Sequence, residues 1–534
     1  MANSMGPTEE QQKIIDAAGN IVVIARPGSG KTYTIVKKIE KILEKSYEYQ
    51  GIIAISYTKK ASCELEQRCK MTGISMKSSF FGTIDNFYIS EIIMPFVKYF
   101  FNKRIELQVE AELEKYPQYT ILRNIKNGIN SQIEIALINA LAEGHIFLEI
   151  SGETALFVLS QIPEAREYIQ AKYTHIFIDE YQDCGNIQHE IFMKMISMGL
   201  LGIAVGDIDQ AIYAFANRYS KYLSELTQNK KFKNFRISKN HRCHESIEAY
   251  SLQLLGISQK KGLYDDKRVF CVSCEGNEIV LSKKIAERIS GIKEEYSIEH
   301  NCQIGILCRS KGSASKISEN LGINNKLFID NALDSSHFQW SRFFADLLRD
   351  YFDEEIFPID VANRYADEEL DRKNHKRILR MVKIIFESVP DDFIKLISTF
   401  VKLADLIYPE YVSKEAIREL ESVLKSPEQL EGYRPPANNE ICIMTLHKSK
   451  GLEFDVVFHM DLYDWVFPRR SISPIEYQQD LNLHYVGVTR AKKACYIMQG
   501  TYRYRSYKDD YYEAKPSPFL SINGVQNYRN NLIW

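Results

Sequence analysis

A lysine and a threonine follow a glycine-containing loop near the start of the chain. The stretch 20–32 reads NIVVIARPGSGKT, so an apolar, β-branched run leads through Gly28 and Gly30 to Lys31 and Thr32. Backbone N–H groups in such a loop, and the N-terminus of the helix predicted to follow it, favour a polyphosphate. In that chemistry the lysine reaches the β- and γ-phosphates, and the threonine hydroxyl binds Mg²⁺. The alternative interpretation is an ordinary glycine-rich turn before a helix.

Two carboxylates follow a second apolar run. Asp179 and Glu180 come directly after THIFI at 174–178. A strand that ends in Asp-Glu places both side chains at the carboxyl edge of a sheet, where α/β proteins bind ligands. Asp179 is then able to hold Mg²⁺ and Glu180 to activate an attacking water. An acidic turn is the alternative, but the upstream loop favours the catalytic interpretation.

Three further polar or aromatic positions follow the apolar run 201–205. In VGDIDQAIYAF at 205–215, we expect Gln210 to lie beside the γ-phosphate, and Tyr213 and Phe215 to face a nucleic-acid groove. The i, i+2 spacing of the two aromatic residues is equally typical of core packing.

Gln11 lies three residues after Thr8, at a predicted helix start. This spacing predicts a capping box, in which the glutamine side chain stabilises the helix N-terminus. The functional alternative is that the Gln11 amide contacts the edge of an adenine base.

The elements that must position these residues alternate between strand and helix patterns. This alternation predicts an α/β fold with parallel sheets and flanking helices, interrupted by two mostly helical insertions. We expect a first α/β domain at 1–87 and 171–233 with an insertion at 88–170, and a second at 234–324 and 437–534 with a shorter insertion at 325–436.

Bulk composition limits the classes of protein to which the chain can belong. With 534 residues, 45% apolar and 26% charged, it is typical of a globular protein of several domains. A net charge of −2 means that any nucleic-acid surface is a local patch. No long apolar run or secretory leader is seen, so we expect a cytoplasmic protein without a membrane span.

The motifs, in their order along the chain, resemble those of superfamily 1 DNA helicases of the UvrD/Rep/PcrA group. The segments that carry the resemblance are Gln11, ARPGSGKT at 25–32, SYTKKASCELEQR at 56–68, GTIDNF at 82–87, IDEYQDCGNIQ at 178–188, VGDIDQAIYAF at 205–215, ISKNHR at 237–242, MTLHKSKGLEF at 444–454 and YVGVTRA at 485–491.

This resemblance implies two RecA-like domains with ATP and Mg²⁺ in the cleft between them. It implies catalytic roles for Glu180, Gln210, Arg242 and Arg490, the two arginines acting as arginine fingers rather than in surface ion pairs. Metal contacts are implied for Thr32 and Asp179. Nucleotide contacts are implied for Gln11, Ala25, Arg26, Pro27, Gly28, Ser29, Gly30, Lys31, Thr32, His241 and Glu453.

The resemblance also implies a path for single-stranded or partly duplex DNA. Its expected contacts are Tyr57, Thr58, Lys59, Thr83, Tyr213, Phe215, His447 and Lys448. For Tyr57, a core aromatic residue at a strand end is the alternative.

Several positions depart from the helicase pattern, among them Gln479, Asp480 and Asn482, which replace the usual acidic and arginine positions before Tyr485. His241 stands where a tyrosine that stacks on adenine is usual, which puts base selectivity in doubt. Asp85 replaces a histidine beside the DNA path. Ala216 replaces an arginine, which puts the coupling between DNA and ATP in doubt.

The compact length and the segments SEIIMPF at 90–96 and 173–183 further resemble the helicase-like subunits of Gabija anti-phage systems. That resemblance implies a partner nuclease of the OLD family. Two hypotheses follow: a motor that moves 3′ to 5′ on single-stranded DNA, and a DNA-sensing ATPase that switches a nuclease. A nuclease in its own right is disfavoured, because no further acidic/lysine constellation is found.

Overall fold

Two large parallel sheets and a separate helical unit make up the chain in this computed structural model. The model describes residues 6–56, 59–101, 105, 107–110, 113–208, 221–257, 264–328, 331–336, 338–366, 371–470, 473–505 and 510–534. The α/β fold class with flanking helices is confirmed.

The strands of the described residues are β1 Ile21–Ala25, β2 Gly51–Ile55, β3 Phe80–Gly82, β4 Gln108–Glu110, β5 His145–Phe147, β6 Tyr173–Ile178, β7 Leu201–Gly206, β8 Lys233–Ile237, β9 Val269–Cys274, β10 Ile304–Cys308, β11 Asn325–Phe328, β12 Ile441–Thr445, β13 Phe454–His459, β14 Ala491–Gly500, β15 Tyr502–Arg505, β16 Asp510–Glu513 and β17 Asn530–Ile533.

The α-helices are α1 Glu9–Asp16, α2 Lys31–Leu43, α3 Lys59–Lys70, α4 Ile84–Phe87, α5 Met94–Phe96, α6 Ser131–Ala142, α7 Ser151–Gln161, α8 Pro163–Lys172, α9 Asn186–Ser197, α10 Lys221–Gln228, α11 Glu245–Leu254, α12 Glu278–Glu295, α13 Lys311–Asn320, α14 Ala332–Ser335, α15 Gln339–Phe352, α16 Pro358–Tyr365, α17 Arg372–Phe386, α18 Ile397–Ile407, α19 Lys414–Leu424, α20 Pro427–Glu431 and α21 Pro474–Val488.

The first sheet has the strand order β3-β2-β6-β7-β1-β8, and all its neighbouring strands are parallel. Its central strands read IVVIA and GIIAI, which are almost continuous apolar runs. Such runs are expected where helices cover both faces of a sheet. The carboxyl ends of β1, β6 and β7 therefore meet at one edge, and this edge holds the phosphate loop and the acidic pair.

The second sheet has the order β11-β12-β10-β13-β14-β9-β17, again with all neighbours parallel. Apolar clusters cover both of its faces. Both sheets belong to one compact unit, formed by Met1–Phe87, Pro163–Phe328 and Pro436–Trp534. Below, the first and second halves of this unit mean each sheet with its helices and strand-end loops.

The second unit consists of Tyr88–Ile162 and Ile329–Pro435, so two distant segments of the chain form one body. Its core includes Trp340, Phe343 and Phe344, all fully buried. The two segments touch where the Tyr411 hydroxyl lies 3.6 Å from the sulfur of Met94.

Two strands differ from the expectations. The segment from 234 was expected to begin the second α/β domain, but β8 pairs with β1 in the first sheet. Its pattern of exposed and half-buried residues suits an edge strand, and such a pattern does not identify the neighbouring strand. The C-terminal strand β17, which was not predicted, pairs with β9 at the edge of the second sheet.

Among the described residues, no helix is both long and apolar enough to cross a membrane.

Candidate functional site

The loop between β1 and α2 has the backbone that a phosphate site requires. Gly28 and Gly30 have φ values of +69° and +82°, in the left-handed region that favours glycine. A Cβ on Gly28 would lie 2.4 Å from the Cβ of Arg242, and one on Gly30 would lie 2.6 Å from the Gln11 amide nitrogen. The loop therefore has no room for side chains at these positions.

Hydrogen bonds within the phosphate loop stabilise its conformation. The backbone carbonyl of Arg26 accepts hydrogen bonds from the Ser29 amide at 3.3 Å and the Ser29 hydroxyl at 2.7 Å. Ala25, which ends β1, and Ser29 are fully buried, and Pro27 is also buried. Helix α2 begins at once with Lys31 and Thr32, and no side chain caps its N-terminus. Free amides at a helix N-terminus are suited to bind phosphate oxygens.

Lys31 points at the acidic pair. Its ammonium nitrogen lies 2.7 Å from Oε1 of Glu180. Burial on its own would lower the pKa of Lys31, but the carboxylates of Glu180, Asp179 and Asp207 raise it. The lysine is therefore held charged at the point where a polyphosphate would need a cation.

The acidic pair follows β6 as expected, and the pKa values of its two members shift in opposite directions. Burial raises the pKa of Asp179, and the neighbouring Glu180 carboxylate raises it further. Burial would also raise the pKa of Glu180, but the ammonium groups of Lys31 and Lys450 lower it below its usual value. Glu180 is consequently the carboxylate held ionised, as a general base must be.

The backbone of Glu180 is strained. Its φ and ψ are +54° and +42°, which is unusual for a residue other than glycine. Such outliers cost about 1–3 kcal/mol and cluster at functional sites. The turn directs the Glu180 side chain towards Lys31.

Gln182 is a functional candidate that the sequence analysis missed. It is fully buried, and its amide nitrogen donates to Oε2 of Glu180. Its carbonyl oxygen accepts from the Asp207 backbone N–H at 2.9 Å. Gln182 thus connects the carboxylate to the end of β7. A Cβ on Gly206 would lie 2.4 Å from its oxygen, so this bridge also accounts for the glycine.

Gln11 makes the expected capping box and also contacts the phosphate loop. Its side-chain oxygen accepts from the Thr8 amide at 2.9 Å, while its amide nitrogen donates to the carbonyl of Ser29 at 3.0 Å. The capping box is therefore confirmed, and the contact of the Gln11 amide with adenine stays a prediction.

The segment after β8 packs directly on the phosphate loop. The His241 amide donates to the Gly28 carbonyl at 2.8 Å, and the His241 side chain is exposed. The side chain of Asn240 accepts from the Arg242 amide at 2.7 Å and fixes this turn. Arg242 then pairs with Glu453 of the second half at 2.6 Å.

Arg490 is fully buried between α21 and β14. Its guanidinium donates to the carbonyls of Val486 at 3.1 Å and Leu452 at 3.2 Å. Burial and the nearby charge of Arg242 lower the pKa of Arg490 to about 10, so it remains charged at neutral pH. The Cys243 thiol lies 3.7 Å from the Thr489 carbonyl and joins the two arginine-bearing segments.

An ion pair that the sequence analysis did not predict also joins the two halves. The Lys450 ammonium lies 2.5 Å from Oδ2 of Asp183 and 4.0 Å from Glu180. Burial raises the pKa of Asp183 to about 6, although Lys450 acts in the opposite direction. Both residues lie inside the quoted motifs, but 267 positions separate them, so the pairing has no local signal.

The expected nucleic-acid residues are only partly described. Thr83 follows β3, and its carbonyl accepts from the Phe87 amide at 3.1 Å. His447 and Lys448 follow β12, half-buried. Burial, with nearby Arg309, Arg469 and Lys450, lowers the pKa of His447 to about 4, so it is neutral at pH 7. For Lys59 the structure describes only the backbone, and Tyr57, Thr58, Gln210, Tyr213 and Phe215 lie outside the described residues.

The oxygen atoms of Thr32 and Asp179 are suited to bind the Mg²⁺ of a magnesium–nucleotide complex. Within the described part of the chain, no three His, Cys, Asp or Glu side chains are grouped to hold a metal by themselves. Mg²⁺ in nucleotide sites uses only one or two protein oxygens together with phosphates and water. Thr32 and Asp179 are able to supply those oxygens beside Lys31.

Comparisons with known proteins agree with this geometry. Residues 9–216 match an AAA domain model, and residues 394–501 match the UvrD-like helicase C-terminal domain. The Gabija protein GajB of Bacillus cereus is 27% identical over 93% of this chain and 96% of its own length.

Two helicases are also similar along most of the chain. PcrA of Staphylococcus aureus is an ATP-dependent DNA helicase that is 21% identical over 93% of this chain and 83% of its own length. Rep of Buchnera aphidicola, another ATP-dependent DNA helicase, is 23% identical over 94% of each chain. Together with the phosphate loop and the two parallel sheets, these matches indicate an ATP-hydrolysing helicase that carries an AAA domain and a UvrD-like helicase C-terminal domain.

Proposed function

We propose that this enzyme hydrolyses ATP between its two halves and uses the movement to translocate 3′ to 5′ along single-stranded DNA, or from DNA ends, in bacterial anti-phage defence. The observation that carries the proposal is the contact between strand-end loops. His241 and Arg242 lie on the phosphate loop, and Lys450 of the second half reaches the acidic loop of the first. Hydrolysis or release of the nucleotide phosphates would therefore alter contacts that connect the two sheets.

In this proposal the first half holds the nucleotide. The amides at the start of α2, Lys31 and the Thr32 hydroxyl bind the phosphates and Mg²⁺, with Asp179 as a further metal contact. Mg²⁺ neutralises charge on the phosphate oxygens. Glu180, kept ionised by Lys31 and held by Gln182, orients and deprotonates the attacking water.

Arginines from both halves complete the site, because Arg242 follows β8 of the first sheet and Arg490 precedes β14 of the second. Arg242 and Arg490 would stabilise charge on the γ-phosphate, for which the fork of a guanidinium is suited. Arg242 leaves its pair with Glu453 to do so, and Glu453, which keeps its pair with Lys492 at 3.5 Å, would contact the ribose. Hydrolysis would require closure of the cleft, as is common for such sites.

The DNA path is proposed to cross the carboxyl edges of both sheets. Thr83 in the first half and His447 and Lys448 in the second would contact the backbone, while the aromatic residues Tyr57 and Phe215 would stack on bases. Stacking tolerates any sequence, as a translocating enzyme needs.

The direct test is ATP turnover with and without a single-stranded oligonucleotide. We expect DNA to stimulate turnover in the wild-type enzyme, and both Lys31→Ala and Glu180→Gln to reduce it by about 10³-fold or more. Lys45→Ala, an exposed lysine just beyond the end of α2, is the matched control and should be unaffected. Normal stimulated turnover in Glu180→Gln would refute the proposal.

A second candidate is a DNA-sensing ATPase that switches a partner nuclease, of the OLD family, with little unwinding of its own. The similarity to a Gabija protein over nearly the whole of both chains favours it. Strand displacement by the isolated chain separates the two candidates. Efficient unwinding without a partner supports the motor, whereas ATP turnover without unwinding, together with co-purification of a nuclease, supports the switch.

A further inference from the structure

We propose that Trp465 stacks on a base of single-stranded nucleic acid and so extends the DNA path beyond the expected contacts. The proposal rests on the function proposed above. It concerns a loop that follows β13, between 460 and 470, to which the sequence analysis assigned no role.

Trp465 is 55% exposed, which is unusual for so large an apolar side chain. The guanidinium of Arg470 lies 3.6 Å from the centroid of its ring. Arg470 is itself exposed and forms no ion pair with any described residue. The pair therefore presents exposed aromatic surface next to a positive charge.

The backbone conformation of Trp465 is strained. Its φ is +67°, a conformation that bulky residues rarely adopt. The flanking residues are firmly anchored, because Phe467 is fully buried and its amide donates to the Tyr463 carbonyl at 2.9 Å. The Arg469 amide donates to the buried carboxylate of Asp480 at 3.0 Å. A strained, rigid loop that exposes a tryptophan indicates a binding role rather than loose packing.

The position in the sheet connects this loop with the expected DNA contacts. In the order β12-β10-β13, neighbouring parallel strands end at the same edge. His447 and Lys448 follow β12, Arg309 follows β10, and the Trp465 loop follows β13. Arg309 is in contact with this loop, because its guanidinium lies 5.4 Å from the centroid of the Phe467 ring and shares Asp480 with Arg469.

Arginine side chains gather along this edge. Arg309 and Arg469 share the carboxylate of Asp480, each at 3.4 Å, and Arg470, which has no ion pair with a described residue, adds a further positive charge. The carboxylates nearby offset part of this charge: Glu476 lies 4.0 Å from Arg469, Asp461 pairs with Arg503 at 3.0 Å, and Asp464 adjoins Trp465. Aromatic faces beside a positively charged groove are the pattern by which proteins hold single strands without reading their sequence.

The test is the affinity of the full-length enzyme for a dye-labelled oligo(dT) at fixed salt, measured by fluorescence anisotropy. We expect Trp465→Ala to raise Kd about tenfold, in the range for loss of one stacked base, and Trp465→Phe to retain part of the affinity. Tyr47→Ala is the matched control, because Tyr47 is 68% exposed but precedes β2 at the opposite, amino-terminal edge of its sheet. Its Kd should stay within about twofold of wild type.

A strand of abasic deoxyribose phosphates provides the second arm. Wild type and Trp465→Ala should bind it equally, because it carries charge but no base. Unchanged affinity of Trp465→Ala for oligo(dT), or an equal loss on the abasic strand, would overturn the stacking contact.

The same titrations separate this inference from the proposed function. If DNA stimulates wild-type ATP turnover but Trp465→Ala binds normally, stacking fails and the function stands. If oligo(dT) binds through Trp465 without stimulating turnover, stacking stands and the function fails. Because Trp465 is exposed, the variant should keep its thermal midpoint, which is measured alongside.

Discussion

The two halves of the larger unit contribute different charged groups to the contact between them. The first half contributes the phosphate loop with Lys31 and the carboxylates of Asp179, Glu180 and Asp183. The second half contributes cations that face them, above all Lys450 and the buried Arg490. Each half by itself therefore has an unbalanced set of charges, and the contacts between the halves balance them.

The neighbours that hold the proposed catalytic side chains in place also differ. Glu180 is held by groups of its own half, namely Lys31 and Gln182. Arg242 instead follows a strand of the first sheet and pairs with Glu453 of the second half. From this difference we expect that the nucleotide is held mainly by the first half, whereas hydrolysis needs both. The predictions below test that division.

The largest effect is expected at Arg490. Arg490→Lys should lower DNA-stimulated turnover by about 10³-fold, because lysine lacks the fork that contacts two phosphate oxygens. It should also lower the free energy of unfolding by about 1–3 kcal/mol, since the buried carbonyls of Val486 and Leu452 lose hydrogen bonds. Turnover and urea unfolding are measured on one preparation. Full activity would remove Arg490 from the site.

The pair between Lys450 and Asp183 should show how firmly the halves are joined. Lys450→Met leaves a buried carboxylate without its partner and should cost about 3 kcal/mol of unfolding free energy. The matched control is Lys41→Met, which breaks the exposed pair with Asp16 and should cost less than about 1 kcal/mol.

Adding Asp183→Asn to Lys450→Met should recover part of that loss, because the unpaired charge is removed. If Lys450→Met costs no more than Lys41→Met in denaturant titrations, the pair does not join the halves.

The smallest predicted effect is the loss of unfolding free energy at acid pH that comes from His459 in the second half. Burial lowers the pKa of His459 to about 4, and its ring lies 3.2 Å from that of His484. The unfolded chain takes up the His459 proton first, so the stabilisation is present above about pH 6.5 and is lost as the pH falls towards 4.

The difference in unfolding free energy between wild type and His459→Gln should therefore shrink by about 2 kcal/mol from pH 8 to pH 5. Comparison with the variant cancels the opposite contribution of Asp183, whose raised pKa is common to both proteins. A difference that stays constant with pH would show that His459 is not held neutral by burial.

The sequence predicted the features that depend on local contacts and did not predict those that depend on contacts between distant segments. The phosphate loop and the acidic pair were placed correctly at strand ends, because each depends on one strand and the turn after it. The bridge made by Gln182 and the pair between Lys450 and Asp183 depend on contacts between distant segments, for which residue spacing carries no signal.

The sheet positions of β8 and β17 were missed for the same reason. An alternating strand pattern predicts an extended segment, but its neighbour is chosen by the packing of the whole sheet. The roles of Gln210, Tyr213 and Phe215 stay predictions, since these residues lie outside the described part of the chain.

The claim that ATP is held mainly by the first half and hydrolysed with both is tested most directly with Arg242→Ala, which also removes the ion pair of Arg242 with Glu453 of the second half. Arg242 lies beside the phosphate loop, and Arg236→Ala, at an exposed arginine on β8, is the matched control. In one preparation, the affinity for a fluorescent ATP analogue and the DNA-stimulated turnover are measured. We predict a Kd within a few-fold of wild type and a turnover about 10³-fold lower. Wild-type turnover in Arg242→Ala would contradict the account.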